Sequence, residues 1–539
     1  MGNFRVPIPH NEPIYSYAPG TKDRDKLNEA LKELKNTQID IPMIINGEEV
    51  RTSKKVEITS PHNHSLVLGH YYQGGEKEIN DAVESGLEAW KNWSEMSWEH
   101  RAAIFLRAAD LLAGPYRYKL NAATMLAHSK NAFQAEIDAV CELVDFYRYN
   151  VYFMQEIYDI QPESAPMMWN RMDYRSLEGF IFAVTPFNFV SIGGNLPTSP
   201  AMMGNVSIWK PASTGVYTAY LLMQILMEAG LPAGVINMLT ARGRDVGELI
   251  LKNRNLAGVH FTGSTAVFQT MWKTIGGNIE KYKTYPRIVG ETGGKDFIFV
   301  HNSSDVKEVS TAITRGAFEY QGQKCSAASR AYIPESLWPE IKELIIADAK
   351  EMKMGDPEDY TNFVNAVIDK GAYDTIVEYI DFAKNADNAE FIFGGDYDDS
   401  KGYFISPTAI VTTDPHFRTM EEEIFGPVMT IYVYKDSAFE ETLHICDETS
   451  PYALTGAIFG KDRQAVVLAE KILRHAAGNF YINDKPTGAV VGQQPFGGSR
   501  ASGTNDKAGS YLNLIRWTSP RSIKETLLPS KDFKYPFMR

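Results

Sequence analysis

The sequence has few cysteines and no long apolar run. Only Cys141, Cys325 and Cys446 occur in 539 residues, which is too few for a disulfide framework and fits a reducing compartment. No stretch reaches the ~18 apolar residues of a membrane span, and no signal-peptide core follows Met1. We therefore expect a soluble protein of the cytoplasm, or of the mitochondrial matrix if a presequence has been removed, with no membrane partner.

Clusters of positive charge and of metal ligands are also missing. The net charge is −13 and basic residues form no run, whereas nucleic-acid binding needs a concentrated positive surface. The 11 histidines show neither a His-Glu-x-x-His pattern nor the paired Cys and His spacing of a zinc site. The sequence therefore predicts neither a nucleic-acid partner nor a metal.

The sequence does contain a long alternation of strand and helix patterns. One series begins with an apolar strand at residues 179–184 and reaches a helix near Thr265, and a second runs from residue 297 to residue 482. Short connections between such elements predict parallel sheets covered by helices on both faces, an architecture that binds dinucleotides at the carboxyl ends of its strands. We therefore expect an α/β fold with two Rossmann-type domains that meet near residues 290–294.

Other elements are predicted before this alternation. Residues 1–40 are interrupted by prolines and then briefly helical, so we expect an arm lying over the body. An Asn-Gly pair between apolar runs predicts a hairpin over residues 43–50. Apolar residues at helical spacing predict a layer of consecutive helices over residues 78–90, 101–112 and 131–158.

Cys325 is the strongest candidate for a reactive group. It lies in residues 322–326, Gly-Gln-Lys-Cys-Ser, among small and polar side chains. Cysteine attacks as the thiolate, and a neighbouring lysine and free backbone amides favour that form. The pattern predicts a displayed nucleophile; the alternative is a small buried core residue, as lone cysteines usually are. Cys141 and Cys446 fit that alternative, because both lie in patterns of amphipathic helices.

Two further side chains have the chemistry of an active site. Glu291 lies between Gly290 and the pair Gly293 and Gly294, which permit close backbone approach, and it could act as a general base. The alternative is an exposed loop glutamate. Asn188 stands between two phenylalanines and could donate to a developing oxyanion, or could simply form a turn.

A turn between strand and helix is a candidate phosphate site. Residues 261–265, Phe-Thr-Gly-Ser-Thr, place backbone N–H groups at the start of a helix, where they can bind an anion. Lys210 ends an earlier strand, where a ribose could lie. A turn without a ligand and a solvated lysine are the alternatives.

Taken together, these segments resemble the aldehyde dehydrogenase superfamily, and the resemblance extends from about residue 40 to about residue 525. Residues 480–494 and 500–507 are most similar to the branch that oxidises L-glutamate γ-semialdehyde. The motifs that carry the resemblance occur in the family's order: residues 185–189 (Thr-Pro-Phe-Asn-Phe), 210–212 (Lys-Pro-Ala), 261–265, 291–295 (Glu-Thr-Gly-Gly-Lys), 322–325, 422–427 (Glu-Glu-Ile-Phe-Gly-Pro) and 495–498 (Pro-Phe-Gly-Gly).

The resemblance implies NAD-dependent oxidation of L-glutamate γ-semialdehyde, which is in equilibrium with Δ1-pyrroline-5-carboxylate, to L-glutamate in proline catabolism. Cys325 would be the nucleophile that forms a thiohemiacetal and then a thioester. Asn188 and the backbone N–H of Cys325 would stabilise the oxyanion, and Glu291 would activate the water that releases the acid.

The resemblance also implies binding residues. Ala489 stands where many relatives have serine, so one hydroxyl donor to the substrate carboxylate is missing while the backbone donors remain. Ser213 stands where some relatives carry a ribose-binding glutamate, so the preference for NAD depends on the resemblance alone. The implied NAD contacts are Thr185, Lys210, Gly263, Ser264, Thr265, Ala266, Val267, Glu423 and Phe425. The implied substrate contacts are Phe187, Lys324, Ser326, Gly488, Ala489 and Phe496.

The implied architecture adds a small β flap for oligomerisation to the two Rossmann-type domains. We expect a homodimer or an assembly of dimers, and transient contact with a proline-oxidising enzyme. The predicted units are an N-terminal arm (1–40), an NAD-binding domain (41–165 and 179–291), a catalytic domain (292–505), and the flap with a C-terminal tail (166–178 and 506–539).

Three alternatives stay open. The enzyme could oxidise another small semialdehyde such as succinate semialdehyde. A reductase of γ-glutamyl phosphate is disfavoured, because such an enzyme has no need of Glu291. A cysteine hydrolase could pair Cys325 with a distant histidine such as His301, but it would leave the dinucleotide architecture without a purpose.

Overall fold

The computed structural model describes residues 4–538. Residues 1–3 of the predicted arm and residue 539 of the predicted tail lie outside the described residues. The α-helices are α1 (Lys22–Lys35), α2 (Glu76–Trp93), α3 (Trp98–Ala113), α4 (Arg117–His128), α5 (Ala132–Ala135), α6 (Leu143–Asp159), α7 (Val190–Met202), α8 (Val216–Glu228), α9 (Gly243–Ile250), α10 (Thr265–Gly276), α11 (Val306–Phe318), α12 (Trp338–Glu351), α13 (Lys370–Lys384), α14 (Arg418–Glu421), α15 (Phe439–Glu448), α16 (Arg463–Ile472) and α17 (Tyr511–Ile515).

The strands are mostly short and buried. They are β1 (Ile39–Ile41), β2 (Met43–Ile45), β3 (Glu48–Val50), β4 (Lys55–Ser60), β5 (Asn63–Tyr72), β6 (Met168–Arg175), β7 (Phe180–Thr185), β8 (Val206–Pro211), β9 (Ile236–Met238), β10 (Leu256–Thr262), β11 (Arg287–Glu291), β12 (Asp296–Val300), β13 (Ala328–Pro334), β14 (Ala389–Phe393), β15 (Tyr397–Asp398), β16 (Phe404–Ile405), β17 (Thr408–Thr412), β18 (Val428–Tyr434), β19 (Tyr452–Ala453), β20 (Thr455–Phe459), β21 (Asn479–Ile482), β22 (Ser499–Arg500) and β23 (Ser519–Thr526).

The first large sheet has seven strands in the order β11-β10-β7-β8-β9-β2-β3. Strands β7 to β11 are parallel, and the hairpin of β2 and β3 joins the edge at β9 in the antiparallel sense. Every residue of β10 is buried, as expected for a strand covered by helices on both faces. The predicted hairpin and the first parallel sheet are therefore confirmed.

The second large sheet also has seven strands, in the order β14-β17-β18-β13-β12-β20-β21. All neighbours are parallel except β14, which pairs with β17 in the antiparallel sense. Separate apolar clusters cover its two faces. The predicted α/β fold with two Rossmann-type sheets is confirmed.

The chain passes from the first sheet to the second between Glu291, the last residue of β11, and Asp296, the first of β12. The predicted meeting point at residues 290–294 coincides with this crossing. The division into the four predicted units stays a prediction. Glu291 therefore lies at the end of the first sheet, at the point where the chain enters the second sheet.

The helix predicted over residues 131–158 is not regular. It consists of α5, a π-helical segment at Glu136–Glu142, and α6. The π-helical segment contains Cys141, which is buried. Cys446 is buried in α15, so both cysteines are core residues as predicted. π-helical segments occur often at functional sites, and this one borders the cavity described below.

The predicted arm packs on the body through α1, whose Leu27, Leu31 and Leu34 are buried. The flap segments pair as an antiparallel ribbon of β6 and β23. Helix α7 was not predicted, because its Pro197 and Pro200 disfavour a helix interior. Among the described residues, none of the helices combines the length and the apolarity needed to cross a bilayer.

Candidate active site

A cavity of about 320 Å³ lies where the two sheets meet. Its walls come from the arm, the π-helical segment, α7, the end of β11 and the segments around Cys325 and Gly488. Most of the residues predicted for catalysis and substrate binding line this one cavity, although they are far apart in the sequence. They are Glu291, Lys324, Cys325, Ser326, Gly488, Ala489 and Phe496.

Cys325 follows a backbone that turns sharply after α11. Tyr320 and Gln321 have φ values of 51° and 55°, a left-handed conformation that is costly for residues other than glycine. The side chain of Gln321 holds this turn by donating to the carbonyl oxygens of Ser129 and Ala366, at 3.1 and 2.8 Å. The nucleophile candidate is therefore attached to a segment that packing fixes in place.

The prediction of a displayed thiol is wrong in one respect, because Cys325 is only 8% exposed. It lines the cavity without reaching the surface. Burial raises the pKa of the Cys325 thiol well above its usual range, and the neighbouring carboxyl groups of Asp296, Glu423 and Glu291 raise it further. The backbone N–H of Cys325 itself opposes this shift.

Lys324 was expected to favour the thiolate, and the structure does not support this. Its ammonium lies 3.0 Å from Glu319 Oε2, and both side chains are buried. The positive charge of Lys324 is therefore compensated within its own wall of the cavity. Its predicted place beside the substrate is unaffected, since Lys324 lines the cavity.

Glu291 is the last residue of β11. The sequence had suggested instead that it lies on a glycine-rich loop. Its Oε2 accepts a hydrogen bond from the backbone N–H of Gly498 at 3.1 Å. Burial raises the pKa of the Glu291 carboxyl well above its ordinary value, and this hydrogen bond opposes the rise. A carboxyl group that is readily protonated and deprotonated suits a general base better than a fixed anion does.

The crossing segment after Glu291 approaches the nucleophile closely. A Cβ atom at Gly294 would lie 2.0 Å from the carbonyl oxygen of Cys325, so no larger residue fits there. The adjacent Gly294 N–H donates to Glu423 Oε1 at 2.9 Å. Burial raises the pKa of Glu423 to about 7.

Asn188 comes directly before the α7 segment and is buried. Its Nδ2 donates to the carbonyl oxygen of Gln323 at 3.1 Å, which brings the amide next to the backbone that leads into Cys325. The carboxylate of Asp138 accepts the N–H groups of Val190 and Ser191 at 3.0 and 3.1 Å and so caps α7. The amide is thereby fixed between two rigid elements, although it is not among the residues that line the cavity.

The nucleophile segment and the predicted carboxylate-binding loop are in direct contact. The hydroxyl groups of Ser326 and Thr487 lie 2.9 Å apart. Lys485, which sequence reasoning missed, also lines the cavity. A Cβ atom at Gly488 would lie 3.5 Å from Lys485 Nζ. An ammonium group therefore adjoins the backbone donors of this loop.

Glu142 is a second lining residue that sequence reasoning missed. Its Oε2 accepts a hydrogen bond from Ser191 Oγ at 2.7 Å. Burial and the nearby Asp138 raise the pKa of Glu142 to about 8. The only signal in the sequence was its position one residue after Cys141 in an apolar helix, where a carboxyl group has to find a polar partner.

Phe187 does not line this cavity with the other residues predicted for the substrate. Its ring contacts that of Phe425 edge to face, with 6.0 Å between ring centroids. Phe425 itself has a left-handed backbone, with φ of 58°. The contact joins a predicted substrate residue to a predicted cofactor residue.

A second cavity, of about 260 Å³, lies beside Lys210 at the carboxyl end of β8. Burial lowers the pKa of the Lys210 ammonium, which donates to the carbonyl oxygen of Pro211 at 3.1 Å. Ser213 and Arg242 share the wall of this cavity. Thr185, at the end of the adjacent strand β7, accepts a hydrogen bond from Trp209 Nε1 at 2.9 Å.

The residues predicted for the pyrophosphate form the first turn of α10. Ser264 caps this helix, since its hydroxyl accepts the N–H of Val267 at 3.3 Å. Ser264, Ala266 and Val267 are exposed, and Gly263 and Thr265 are partly exposed. Exposed N–H groups at the start of a helix of 12 residues can bind an anion.

These groups fit a dinucleotide. The cavity beside Lys210, the start of α10 and Glu423 all lie on the side of the strands' carboxyl ends, as in other doubly wound sheets. The described residues contain no group of three or more metal-ligating side chains placed to hold an ion. His301, the possible partner in a cysteine hydrolase, pairs with Ser303 at 2.9 Å and is not among the lining residues of the cavity.

Comparison with known proteins gives one consistent answer. The aldehyde dehydrogenase family model matches residues 49–523. The chain is 55% identical to the mitochondrial Δ1-pyrroline-5-carboxylate dehydrogenase of Dictyostelium discoideum, over 99% of this chain and 96% of that protein. It is 46% identical to the human mitochondrial enzyme of the same name, over 98% of this chain and 94% of that protein.

A solved structure agrees with these relatives. The Δ-pyrroline-5-carboxylate dehydrogenase of Mycobacterium tuberculosis bound with NAD superposes with a TM-score of 0.96 at 51% identity, covering 100% of this chain and 99% of that one. The resemblance inferred from the sequence motifs is confirmed. The chain belongs to the aldehyde dehydrogenase family.

Proposed function

We propose that this protein oxidises L-glutamate γ-semialdehyde to L-glutamate with NAD. The observation that carries the proposal is that one cavity brings the Cys325 thiol and the Glu291 carboxyl together with a loop able to bind a carboxylate. The names of the relatives, which describe Δ1-pyrroline-5-carboxylate dehydrogenases, support the same substrate. That compound is in equilibrium with the open-chain semialdehyde.

The chemistry follows from the side chains. The Cys325 thiolate adds to the aldehyde carbon, and the resulting alkoxide accepts hydrogen bonds from the Asn188 amide and the Cys325 backbone N–H. NAD bound beside the cavity would supply the acceptor for the hydride. The remaining thioester is attacked by a water molecule whose proton passes to Glu291, and the thiolate leaves as the acid forms.

The two ends of the substrate need different partners. The α-carboxylate fits the backbone N–H groups of Gly488 and Ala489, the Ser326 hydroxyl and the ammonium of Lys485. The α-ammonium fits an acid, and Glu142 is a carboxyl group in the wall of the same cavity. Phe496 would enclose the aliphatic chain between the two ends. A substrate that carries both an α-carboxylate and an α-ammonium would be bound more tightly by these partners. Succinate semialdehyde lacks the ammonium and would lose that part of the binding.

The cofactor would be held by the predicted residues. Thr185 and Lys210 would lie on the adenosine side, the start of α10 on the pyrophosphate side, and Glu423 and Phe425 near the nicotinamide ribose and ring. The N–H groups in the exposed first turn of α10 would supply the positive potential that a pyrophosphate requires.

The reaction can be tested directly. Adding racemic Δ1-pyrroline-5-carboxylate and NAD should produce NADH absorbance and L-glutamate, with a higher catalytic efficiency than succinate semialdehyde gives. Omitting NAD should abolish turnover, whereas a cysteine hydrolase would act without it. Strong turnover of another aldehyde with no NADH from the proposed substrate would contradict the assignment.

Replacing Asn188 with alanine should lower kcat by about 10²- to 10³-fold with little change in KM, because an oxyanion donor acts mainly in the transition state. Steady-state kinetics measures this. Asn385→Ala removes an exposed amide that bonds to Asp381 at the end of α13, and serves as the matched control. A rise in KM with kcat preserved would instead make Asn188 a ground-state binding residue.

Assembly and location complete the proposal. The exposed ribbon of β6 and β23 would pair with a second copy, giving a homodimer or an assembly of dimers, and transient contact with a proline-oxidising enzyme would deliver the substrate. The sequence alone favoured the cytoplasm, but the names of the Dictyostelium and human relatives include the word mitochondrial and support the matrix alternative.

A further inference from the structure

One side chain of the N-terminal arm lies between α6 and the loop of residues 488–494. Asn11 Nδ2 donates to Asp145 Oδ2 of α6 and to the carbonyl oxygen of Val491, both at 2.8 Å. Asn11 Oδ1 accepts a hydrogen bond from Gln493 Nε2 at 2.9 Å. The arm thus ties a helix to the loop, although 480 residues separate Asn11 from Val491.

The loop is compact at its far end and rests on the same helix. The N–H groups of Gln493 and Gln494 both donate to the carbonyl oxygen of Val490 at 3.0 Å. A Cβ atom at Gly492 would lie 2.2 Å from Cε1 of Tyr149 in α6, so the loop sits directly against that ring. Asn11 and Tyr149 therefore support neighbouring points of one turn.

The arm is itself fixed at this point. The Glu12 N–H donates to Asp145 Oδ1 at 2.7 Å, and the two carboxylate oxygens of Glu12 accept from Arg117 and Arg148, each at 2.7 Å. Arg117 is buried and also binds the buried carboxylate of Glu136. Asn11 can transmit this rigidity to the loop because the next residue, Glu12, is held in this network.

Both sides of this contact belong to the cavity. Asn11, Glu12 and Asp145 line it together with Gly488, Ala489, Val490 and Val491. The backbone N–H groups of a short loop bind a carboxylate well only when the loop is held in the binding conformation before the ligand arrives. Most of the loop is exposed, namely Gly488, Val490, Gly492, Gln493 and Gln494, so its conformation depends on the few contacts that it makes with the arm and with α6.

We propose that Asn11 is a positioning residue for substrate recognition, through which the N-terminal arm fixes the carboxylate-binding loop. The inference depends on the proposed function, since it assumes that Gly488 and Ala489 bind the α-carboxylate. Asn11 acts through the loop and not on the reacting atoms. Its loss should weaken binding of a substrate that carries a carboxylate and leave the chemistry at Cys325 intact.

The test compares two aldehydes. Asn11→Ala should raise KM for L-glutamate γ-semialdehyde about tenfold, the effect of losing one to two net hydrogen bonds, with kcat preserved within about twofold. The KM for butanal, which has no carboxylate, should stay unchanged. A general structural defect would alter kcat and both KM values together, so the comparison separates the two roles.

A double-mutant cycle tests the contact from its other side. Gln493→Ala changes only an exposed side chain of the loop and should raise the same KM by a smaller factor, and Asn11→Ala with Gln493→Ala should be less than additive. Thr21→Ala is the matched control, because it changes another side chain of the arm and leaves Asn11 untouched. It removes the cap of α1, where Thr21 Oγ1 accepts the N–H of Arg24 at 3.3 Å.

The outcomes are distinct. The inference would be overturned if, in Asn11→Ala and Gln493→Ala, KM rises for both aldehydes or for neither. The proposed function would still stand in that case, provided that the wild-type enzyme oxidises the semialdehyde. If the wild-type enzyme fails to oxidise the semialdehyde, the proposed function falls and this inference falls with it.

Discussion

Replacing Cys325 with serine is expected to lower aldehyde oxidation by about 10⁴-fold or more, because a hydroxyl cannot replace the thiolate as nucleophile in this site. Burial and three neighbouring carboxyl groups already hold the pKa of the Cys325 thiol above its usual range. A serine hydroxyl ionises far less readily still. NADH formation with Δ1-pyrroline-5-carboxylate measures the loss, and no covalent thioester should be detected by mass spectrometry of the protein.

The chain provides a matched control for this substitution. Cys446 is a fully buried thiol in α15 that does not line the cavity. Cys446→Ala should cost some stability through lost packing but leave kcat per folded enzyme unchanged. Activity of Cys325→Ser within tenfold of the wild type would show that the nucleophile lies elsewhere.

The same thiol predicts a pH dependence. Since the folded enzyme holds the pKa of Cys325 above its ordinary value, the reactive thiolate fraction increases as the pH rises. The value of kcat/KM should therefore increase from neutral to alkaline pH. A kcat/KM that does not increase over this range would contradict a raised pKa of the Cys325 thiol in the free enzyme.

The motifs around single functional groups could be predicted from the sequence, because each is short and continuous. The Glu291 segment and the turn before α10 lie where a strand ends, and strand ends are visible as transitions from apolar to glycine-rich residues. The nucleophile segment lies instead between α11 and β13. The alternating pattern also predicted both parallel sheets. Local periodicity is sufficient for these features because it is set by neighbouring residues.

The environment of those groups could not be predicted in the same way. Cys325 looked accessible because its neighbours in sequence are small and polar, yet it is buried, and its carbonyl oxygen lies against the crossing segment at Gly294, which is remote in sequence. Lys324 looked able to lower the thiol pKa, but its charge is paired with Glu319. Both expectations depended on which groups lie across the cavity, and composition contains no such information.

Three residues were missed by the sequence analysis for the same reason: their surroundings are set by segments that are remote in sequence. Glu142 and Lys485 carry no motif, and Asn11 lies in a segment predicted only as an arm lying over the body. Each becomes meaningful only when the π-helical segment, the loop of residues 488–494 and the arm meet at one cavity. Long-range packing therefore brings these residues to the cavity, and no short motif shows it.

Replacing Glu291 with glutamine is expected to separate the two halves of the reaction. Glutamine keeps the size of the side chain but cannot accept the proton of the attacking water, so the acyl enzyme should accumulate. Rapid mixing should show a burst of about one NADH per active site, followed by a steady-state rate lowered by about 10²- to 10⁴-fold, the usual contribution of a general base.

The pH profile and a chemical rescue make this prediction specific. Burial raises the pKa of Glu291, so its carboxyl is protonated and inactive as a base at low pH, and deacylation by the wild type should accelerate as the pH rises. In Glu291→Gln that acceleration should disappear. Hydroxylamine, which attacks a thioester without a general base, should restore turnover of Glu291→Gln. If the variant shows no burst of NADH, Glu291 acts instead in the first half of the reaction, before the thioester forms.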